Sequence, residues 1–190
     1  MPQFNSLIGF LDSRSFVTVW YWLVLVGMWS VNGRSLLGVP TDVVARAQRE
    51  LRDGSPDGAG VMALMDWLSL ILPRWQLGRS EGAIFLALTS FALTSLFVFG
   101  FMFRLEMAQA VFILLFPFWV LFWMRAVLAA GLSPILSAAQ NGALPLDQAG
   151  PQVVRRMVTH RRLVSLLSIL SVAGAAIWGT IWALMHPNGL

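Results

Sequence analysis

Long apolar runs separated by short polar stretches are the main pattern of this sequence. Residues 82–103 contain no charged side chain, and residues 107–124 contain none either. Only the short polar break Arg104-Leu105-Glu106 separates the two runs. At about 1.5 Å per helical residue, the first run is about 33 Å long, which is enough to cross a hydrocarbon core of about 30 Å. Since a spanning helix satisfies its own backbone hydrogen bonds and the chain must turn in water, the pattern predicts an antiparallel transmembrane hairpin.

Two further apolar segments bring the prediction to four spans. Residues 15–31 carry Trp20, Tyr21 and Trp22 toward one end and Trp29 toward the other, as is typical of aromatic side chains at the two membrane interfaces. The last apolar segment follows a group of arginines near the end of the chain. The predicted fold is therefore an all-α integral membrane protein that forms a single membrane domain over residues 1–190. Its predicted spans are about 15–31, 82–103, 107–127 and 163–184.

Amphipathic segments are predicted in the loop 32–81, between the first two spans. Residues 42–53 place apolar residues on one side of a helix and arginines on the other, which is typical of a helix lying in the membrane interface. Residues 61–72 are apolar, but they are interrupted by Asp66 and stopped by Pro73. This run is too short for a span, so we expect it to be interfacial or re-entrant.

Smaller local patterns complete the predicted organisation. Phe4, Leu7, Ile8 and Leu11 share one face of a helix, which predicts a further interfacial helix at the N-terminus. Pro117 is predicted to bend the third span. Proline and glycine predict an irregular stretch in the second long loop, 131–162, with Pro151 as the first residue of the final helix. The residues concerned are Pro134, Asn141, Gly142, Pro145, Gly150 and Pro151.

The composition supports a membrane protein and excludes some chemistry. Of the 190 residues, 57% are hydrophobic and only 12% are charged, with a mean hydropathy of +0.72. These values lie outside the range of ordinary soluble domains. The chain has no cysteine, which excludes a disulfide, a thiolate zinc site or a cysteine-ligated iron–sulfur cluster within it.

Positive charge is distributed unevenly along the chain, and all 13 basic residues are arginines. With four spans, the loops after spans one and three share one side of the membrane and hold eleven arginines, whereas Arg14 and Arg104 lie on the other. Loops rich in arginine stay in the cytoplasm. We therefore expect a multi-pass protein of the bacterial inner membrane, with both long loops cytoplasmic and both termini periplasmic.

Candidate chemistry within the spans is sparse. A catalytic or ion-conducting membrane protein usually carries an ionisable side chain inside a span, because burying one is costly unless it is used. The predicted spans contain none away from their ends, which indicates that the chain is not an enzyme. His160 and His186 are predicted on opposite sides of the membrane, so they cannot form a bis-histidine haem site. We expect no cofactor within the chain; a neighbouring haem, quinone or bacteriochlorophyll would come with a partner.

Several surfaces are predicted to make contacts. Small residues allow helices to approach closely, either within the chain or between chains. An aromatic face on span three is expected to meet lipid or another membrane protein. An arginine group before the last span is predicted to contact anionic lipid, and it lacks the interleaved aromatic residues typical of nucleic-acid binding. The small residues are Ser171, Ala175, Gly179, Ala83, Ala87 and Ser90; the aromatic face is Phe112, Phe116, Trp119 and Trp123; the arginines are Arg155, Arg156, Arg161 and Arg162.

Three segments of the sequence form a recognisable set: Asp12-Ser13-Arg14-Ser15-Phe16 before Trp20-Tyr21-Trp22, Leu37 to Val44 with Arg46, and Glu106 to Phe112. They resemble an uncharacterised family of small integral membrane proteins from Rhodobacter-like alphaproteobacteria. Together with the spans they belong to, they cover about half of the chain. The family is often labelled a component of the Suf iron–sulfur assembly (SufBCD) complex. The resemblance implies a membrane fold and cytoplasmic iron–sulfur assembly, and it carries no catalytic residues.

These patterns favour a non-catalytic accessory or scaffolding subunit of a larger inner-membrane complex, respiratory or photosynthetic given the apparent hosts of the family. Two alternatives stay open. In the first alternative, the chain is the small membrane component of a transport system. In the second, it is a membrane docking site for cytoplasmic proteins that uses residues 42–53 and the arginine group.

Overall fold

A computed structural model describes residues 19–75 and 78–185, and the described chain is all-α apart from one small hairpin. The helices are α1 Val19–Gly33, α2 Thr41–Arg52, α3 Ala59–Ile71, α4 Arg79–Phe97, α5 Glu106–Gln140 and α6 Leu146–Met185. Strands β1 Ser35–Leu36 and β2 Val39–Pro40 pair antiparallel between α1 and α2. A 3-10 turn Leu72–Trp75 follows α3, and a π-helical turn Val98–Met102 extends α4. The prediction of an all-α protein is confirmed, whereas the four spans and the interfacial amphipathic helices stay predictions.

Among the described residues, three helices are long and apolar enough to cross a membrane: Ser80–Met102, Glu106–Gln140 and Leu146–Met185. They contain almost all of the last three predicted spans. The first predicted span is described only as α1, which has 15 residues and is shorter than the roughly 20 that a span needs. Residues 15–18 of that span, and the predicted interfacial helix in residues 1–13, lie outside the described residues.

The two C-terminal helices are longer than a membrane is thick. α5 has 35 residues and α6 has 40. At about 1.5 Å per residue they are about 52 and 60 Å long, against a hydrocarbon core of about 30 Å. Each helix therefore has one part that extends beyond the apolar layer.

The prediction of an irregular stretch from Pro134 to Pro151 is wrong. α5 continues through Pro134, α6 begins before Pro151, and only residues 141–145 are irregular, with Gly142 at a φ of +70°. A proline removes a single backbone donor from a helix. The flanking Leu132, Ile135 and Leu136 are buried, and this packing holds the helix together across the proline.

The chain divides into two compact units. The first unit consists of the described parts of residues 1–29, 79–120 and 166–190. Its helices α4 and α5 form the predicted antiparallel hairpin. The ring of Phe97 contacts that of Phe112 with centroids 5.4 Å apart, and Trp119 Nε1 donates to Thr89 Oγ1 at 3.1 Å. Positions thus descend along α4 as they rise along α5, as an antiparallel pair requires.

The second unit consists of residues 30–78 and 121–165, and it has a hydrophobic core of its own. Val44 and Ala47 on α2 are buried together with the apolar side of α3 and with Leu132 and Met157 from the long helices. The sequence predicted an interfacial helix over 42–53 and an interfacial or re-entrant segment over 61–72. In the structure the apolar sides of the two helices pack against each other, because a neighbouring helix can cover an amphipathic stripe; their position relative to the membrane stays a prediction. Asp66 stays on the exposed side of α3.

A carboxylate fixes the start of α3 in this core. Glu50 Oε2 accepts hydrogen bonds from the backbone N–H groups of Gly60, at 2.7 Å, and Val61, at 3.2 Å. The first N–H groups of a helix lack partners within the helix and carry its positive dipole end, so an anion there is stabilising. A Cβ on Gly60 would lie 2.8 Å from the same oxygen, so the missing side chain lets the carboxylate approach.

We predict that Glu50→Ala lowers the free energy of unfolding of the second unit by about 1–2 kcal/mol, because two backbone donors lose their acceptor. The measurement is thermal unfolding of the purified protein, together with limited proteolysis of residues 53–60. Asp66→Ala removes the same charge from an exposed position and serves as the control. Equal melting temperatures for the two variants would contradict the role of Glu50.

Candidate functional site

A buried junction of hydrogen-bonded polar groups connects three helical segments in the first unit. The side chain of Gln109 is only 3% exposed. Its Nε2 donates to the carbonyl oxygen of Gly100 at 2.7 Å, and its Oε1 accepts from Trp178 Nε1 at 2.9 Å. One buried amide thus satisfies a group on the π-helical turn and another on α6, which ties both to α5.

The π-helical turn explains why a backbone carbonyl is available to Gln109. In this turn the N–H of Phe103 bonds to the carbonyl of Val98, and that of Leu105 to the carbonyl of Phe99, both at 3.3 Å. The regular α-helical pairing is thereby shifted. Gly100 is buried, and a Cβ on it would lie 2.8 Å from the backbone nitrogen of Gln109. Only glycine allows the two segments to come this close.

An apolar groove of about 300 Å³ lies beside this junction. Phe101, Phe112 and Phe116 line one side, and Leu170 and Gly174 contribute to the other. No charged side chain lines the groove. The hydroxyl of Ser171 also lines it but donates to the carbonyl of Leu167 at 2.7 Å. The groove therefore presents mainly hydrocarbon and aromatic surface.

The two predicted rows of small residues have different environments. In α6, Ser171, Ala175 and Gly179 are buried within the chain. In α4, Ala83 and Ala87 are exposed, and Ser90 is half-buried. The first row is thus covered by the chain itself, whereas the described residues leave the second row uncovered for most of its length.

The predicted aromatic face of α5 is largely engaged within the chain. Phe112 contacts the rings of Phe97 and Phe101, with centroids 5.4 and 5.8 Å apart, and Trp119 donates to Thr89 as described above. Trp123 packs edge-on against Phe122 at 5.6 Å. Phe116 is stacked on Phe112 but is still 44% exposed. Of the four residues, Phe116 therefore offers the most surface to lipid or to a partner.

The four arginines before the last span are all exposed on α6, but they do not share one role. Arg156 Nη1 donates to the carbonyl oxygen of Gly131 on α5 at 2.7 Å. A Cβ on Gly131 would lie 2.6 Å from that nitrogen, so the glycine makes room for the guanidinium. Arg156 therefore connects α5 to α6 within the second unit.

Two basic residues of the second unit are withdrawn from solvent. The side chain of His160 is 5% exposed, and its Nε2 has no hydrogen-bond partner among the described residues. Arg125 donates from Nη2 to the carbonyl oxygen of Asn32 at 3.2 Å. In residues 19–75 and 78–185, no group of three or more histidine, aspartate or glutamate side chains is placed to hold a metal ion. His186 lies outside the described residues.

Sequence analysis missed Gly100 and Gln109, although Gln109 is a polar residue in a predicted apolar span. A lone amide at membrane depth usually has a hydrogen-bond partner, and this was an available signal. The partners themselves were not visible, because Gly100 and Trp178 look unremarkable in the sequence.

No family model matches this chain, and no curated protein or solved structure resembles it significantly.

We predict that Gly100→Ala lowers the stability of the first unit by about 1–3 kcal/mol, because the new methyl group overlaps the backbone of α5. The measurement is the melting temperature in mild detergent, followed by tryptophan fluorescence. Gly27→Ala is the matched control, since a Cβ on Gly27 has no atom within 4 Å. Unchanged melting of Gly100→Ala would show that the close approach does not matter for stability.

Proposed function

We propose that this protein is a non-catalytic accessory or scaffolding subunit of a larger bacterial inner-membrane complex, respiratory or photosynthetic in type. The observation that carries the proposal is the exposure of α4. Within Ser80–Met102, only 6% of the most apolar stretch is buried by the described residues. A spanning helix that the described chain leaves this exposed is well suited to pack against another one.

The surface of α4 supports contact with another protein rather than with lipid alone. Lipid tails are as apolar as leucine, so helices associate in membranes through close packing rather than through the hydrophobic effect. Ala83 and Ala87 are exposed on successive turns, where they allow a partner backbone to approach. Large exposed side chains, including Ile84 and Phe91, stand beside them and provide packing surface.

The chemistry of the polar junction in the first unit supports a structural role. The junction of Gly100, Gln109 and Trp178 is uncharged, and each of its three polar groups has a partner. Catalysis within a membrane usually relies on an ionisable group instead. In this proposal a haem, quinone or bacteriochlorophyll is held by the partner proteins.

The arginine distribution supports an orientation with cytoplasmic loops and periplasmic termini. Ten of the 13 arginines belong to the second unit, against six carboxylates. By the positive-inside rule, a region of this composition is retained in the cytoplasm. The periplasmic position of both termini requires a fourth span near the N-terminus, which is part of the proposal.

The test is purification of the tagged protein from its native membranes in mild detergent, with mass spectrometry and an absorption spectrum of the eluate. We expect a stoichiometric membrane complex that shows haem or bacteriochlorophyll absorption. A protein that elutes alone would contradict the subunit role. A colourless eluate that contains a large permease would favour the transport component instead.

We predict that Ala83→Leu with Ala87→Leu reduces the yield of the co-purified complex, because two larger side chains keep a partner helix at a distance. The fold should be unaffected, since both positions are exposed. Ala173→Leu, at an exposed position on α6, is the control. Yields equal to those of the control would exclude this side of α4 as the contact.

A further inference from the structure

The N-terminal half of α6 has two distinct sides. Val153, Val154, Met157 and His160 are buried, and they fix this part of the helix against the core of the second unit. The four arginines lie at solvent-exposed positions of the same segment. Packing against the core therefore sets the side of the molecule on which they lie.

The side chains of three of these arginines have no partner among the described residues. The guanidinium groups of Arg155, Arg161 and Arg162 make no hydrogen bond or ion pair there, whereas Arg156 Nη1 donates to the carbonyl oxygen of Gly131. Arg155 and Arg162 are seven residues apart, which places them on the same side of the helix, two turns from each other. Arg161 lies next to Arg162. We call these three residues the arginine surface.

The position of the arginine surface along α6 indicates what it meets. From Leu163 to Met185 the helix contains no charged residue. At about 1.5 Å per residue this segment is about 34 Å long, which matches a hydrocarbon core of about 30 Å. With this segment in the bilayer, Arg161 and Arg162 lie at its edge and Arg155 about 10 Å further out. Lipid phosphate groups occupy that layer.

We propose that the arginine surface binds the phosphate groups of anionic phospholipids. Charge complementarity determines the ligand: three exposed guanidinium groups, which pair with no carboxylate of the described residues, lie next to a spanning segment. A guanidinium donates two parallel hydrogen bonds to a phosphate, so arginine binds such a group with defined geometry. Arg156 is not part of this surface, because its guanidinium is already used to connect α5 and α6. This inference does not depend on the proposed subunit role.

The test uses the full-length protein in mild detergent, titrated with phosphatidylglycerol and separately with phosphatidylcholine, with bound lipid counted by native mass spectrometry. We expect the unaltered protein to prefer phosphatidylglycerol. The variant Arg155→Gln, Arg161→Gln, Arg162→Gln should lose this preference by a factor on the order of ten or more at low salt. Absence of a preference in the unaltered protein would overturn the proposal.

Two control variants distinguish lipid binding at the arginine surface from attraction by the net charge of the protein. Arg46→Gln, Arg49→Gln, Arg52→Gln removes the same charge from exposed positions on α2 and should retain the preference. Arg156→Gln should also retain it, while its melting temperature falls because α5 and α6 lose their connection. An equal loss of preference in the α2 variant would show that net charge alone attracts the lipid. If the triple variant on α6 does not fold, Arg162→Gln alone should weaken phosphatidylglycerol binding, and unchanged binding would contradict the proposal.

Discussion

Backbone N–H and C=O groups find no water inside a bilayer, and the fold follows from the need to satisfy them within the protein. Over most of their length, α4, α5 and α6 do so with uninterrupted helical hydrogen bonds. Besides the prolines inside α5 and α6, the π-helical turn Val98–Met102 departs from this pattern. It leaves the carbonyl of Gly100 to be satisfied from outside the turn, and Gln109 supplies the donor. The same amide then accepts from Trp178, so one local irregularity determines how three segments pack.

The second unit shows how a membrane protein of this size builds a folded region without adding a separate domain. Leu132 on α5 and Met157 on α6 are fully buried in the core that α2 and α3 complete. Each long helix thus contributes to both units. One part belongs to the first unit, and the other part contributes buried side chains to the core of the second. Glu50 then fixes the start of α3 without any covalent link.

Hydropathy was sufficient to predict the class, the hairpin between α4 and α5 and three long apolar helices, because each is a property of one continuous segment. Contacts between segments far apart in the sequence could not be predicted from hydropathy in the same way. The stripe on α2 indicated that Val44 and Ala47 need a cover, but not whether lipid or α3 provides it. Pro134 was wrongly predicted to interrupt the helix. The packing of Leu132 and Leu136 outweighs the loss of one backbone N–H donor. In the arginine group, nothing in the sequence distinguishes Arg156 from its neighbours; the distinction comes from Gly131, which lies 25 residues earlier.

The division of the second unit into residues 30–78 and 121–165 has a consequence for biosynthesis. α2 and α3 leave the ribosome well before the parts of α5 and α6 that complete their core. At roughly 5–20 residues per second, synthesis of the intervening chain takes on the order of ten seconds. During that interval the apolar sides of Val61 and Leu68 lack their final neighbours, while α4 and the start of α5 are being made. The second unit therefore completes its core only after the hairpin has been synthesised, and the short helices need temporary cover from a chaperone, the insertion machinery or the membrane surface.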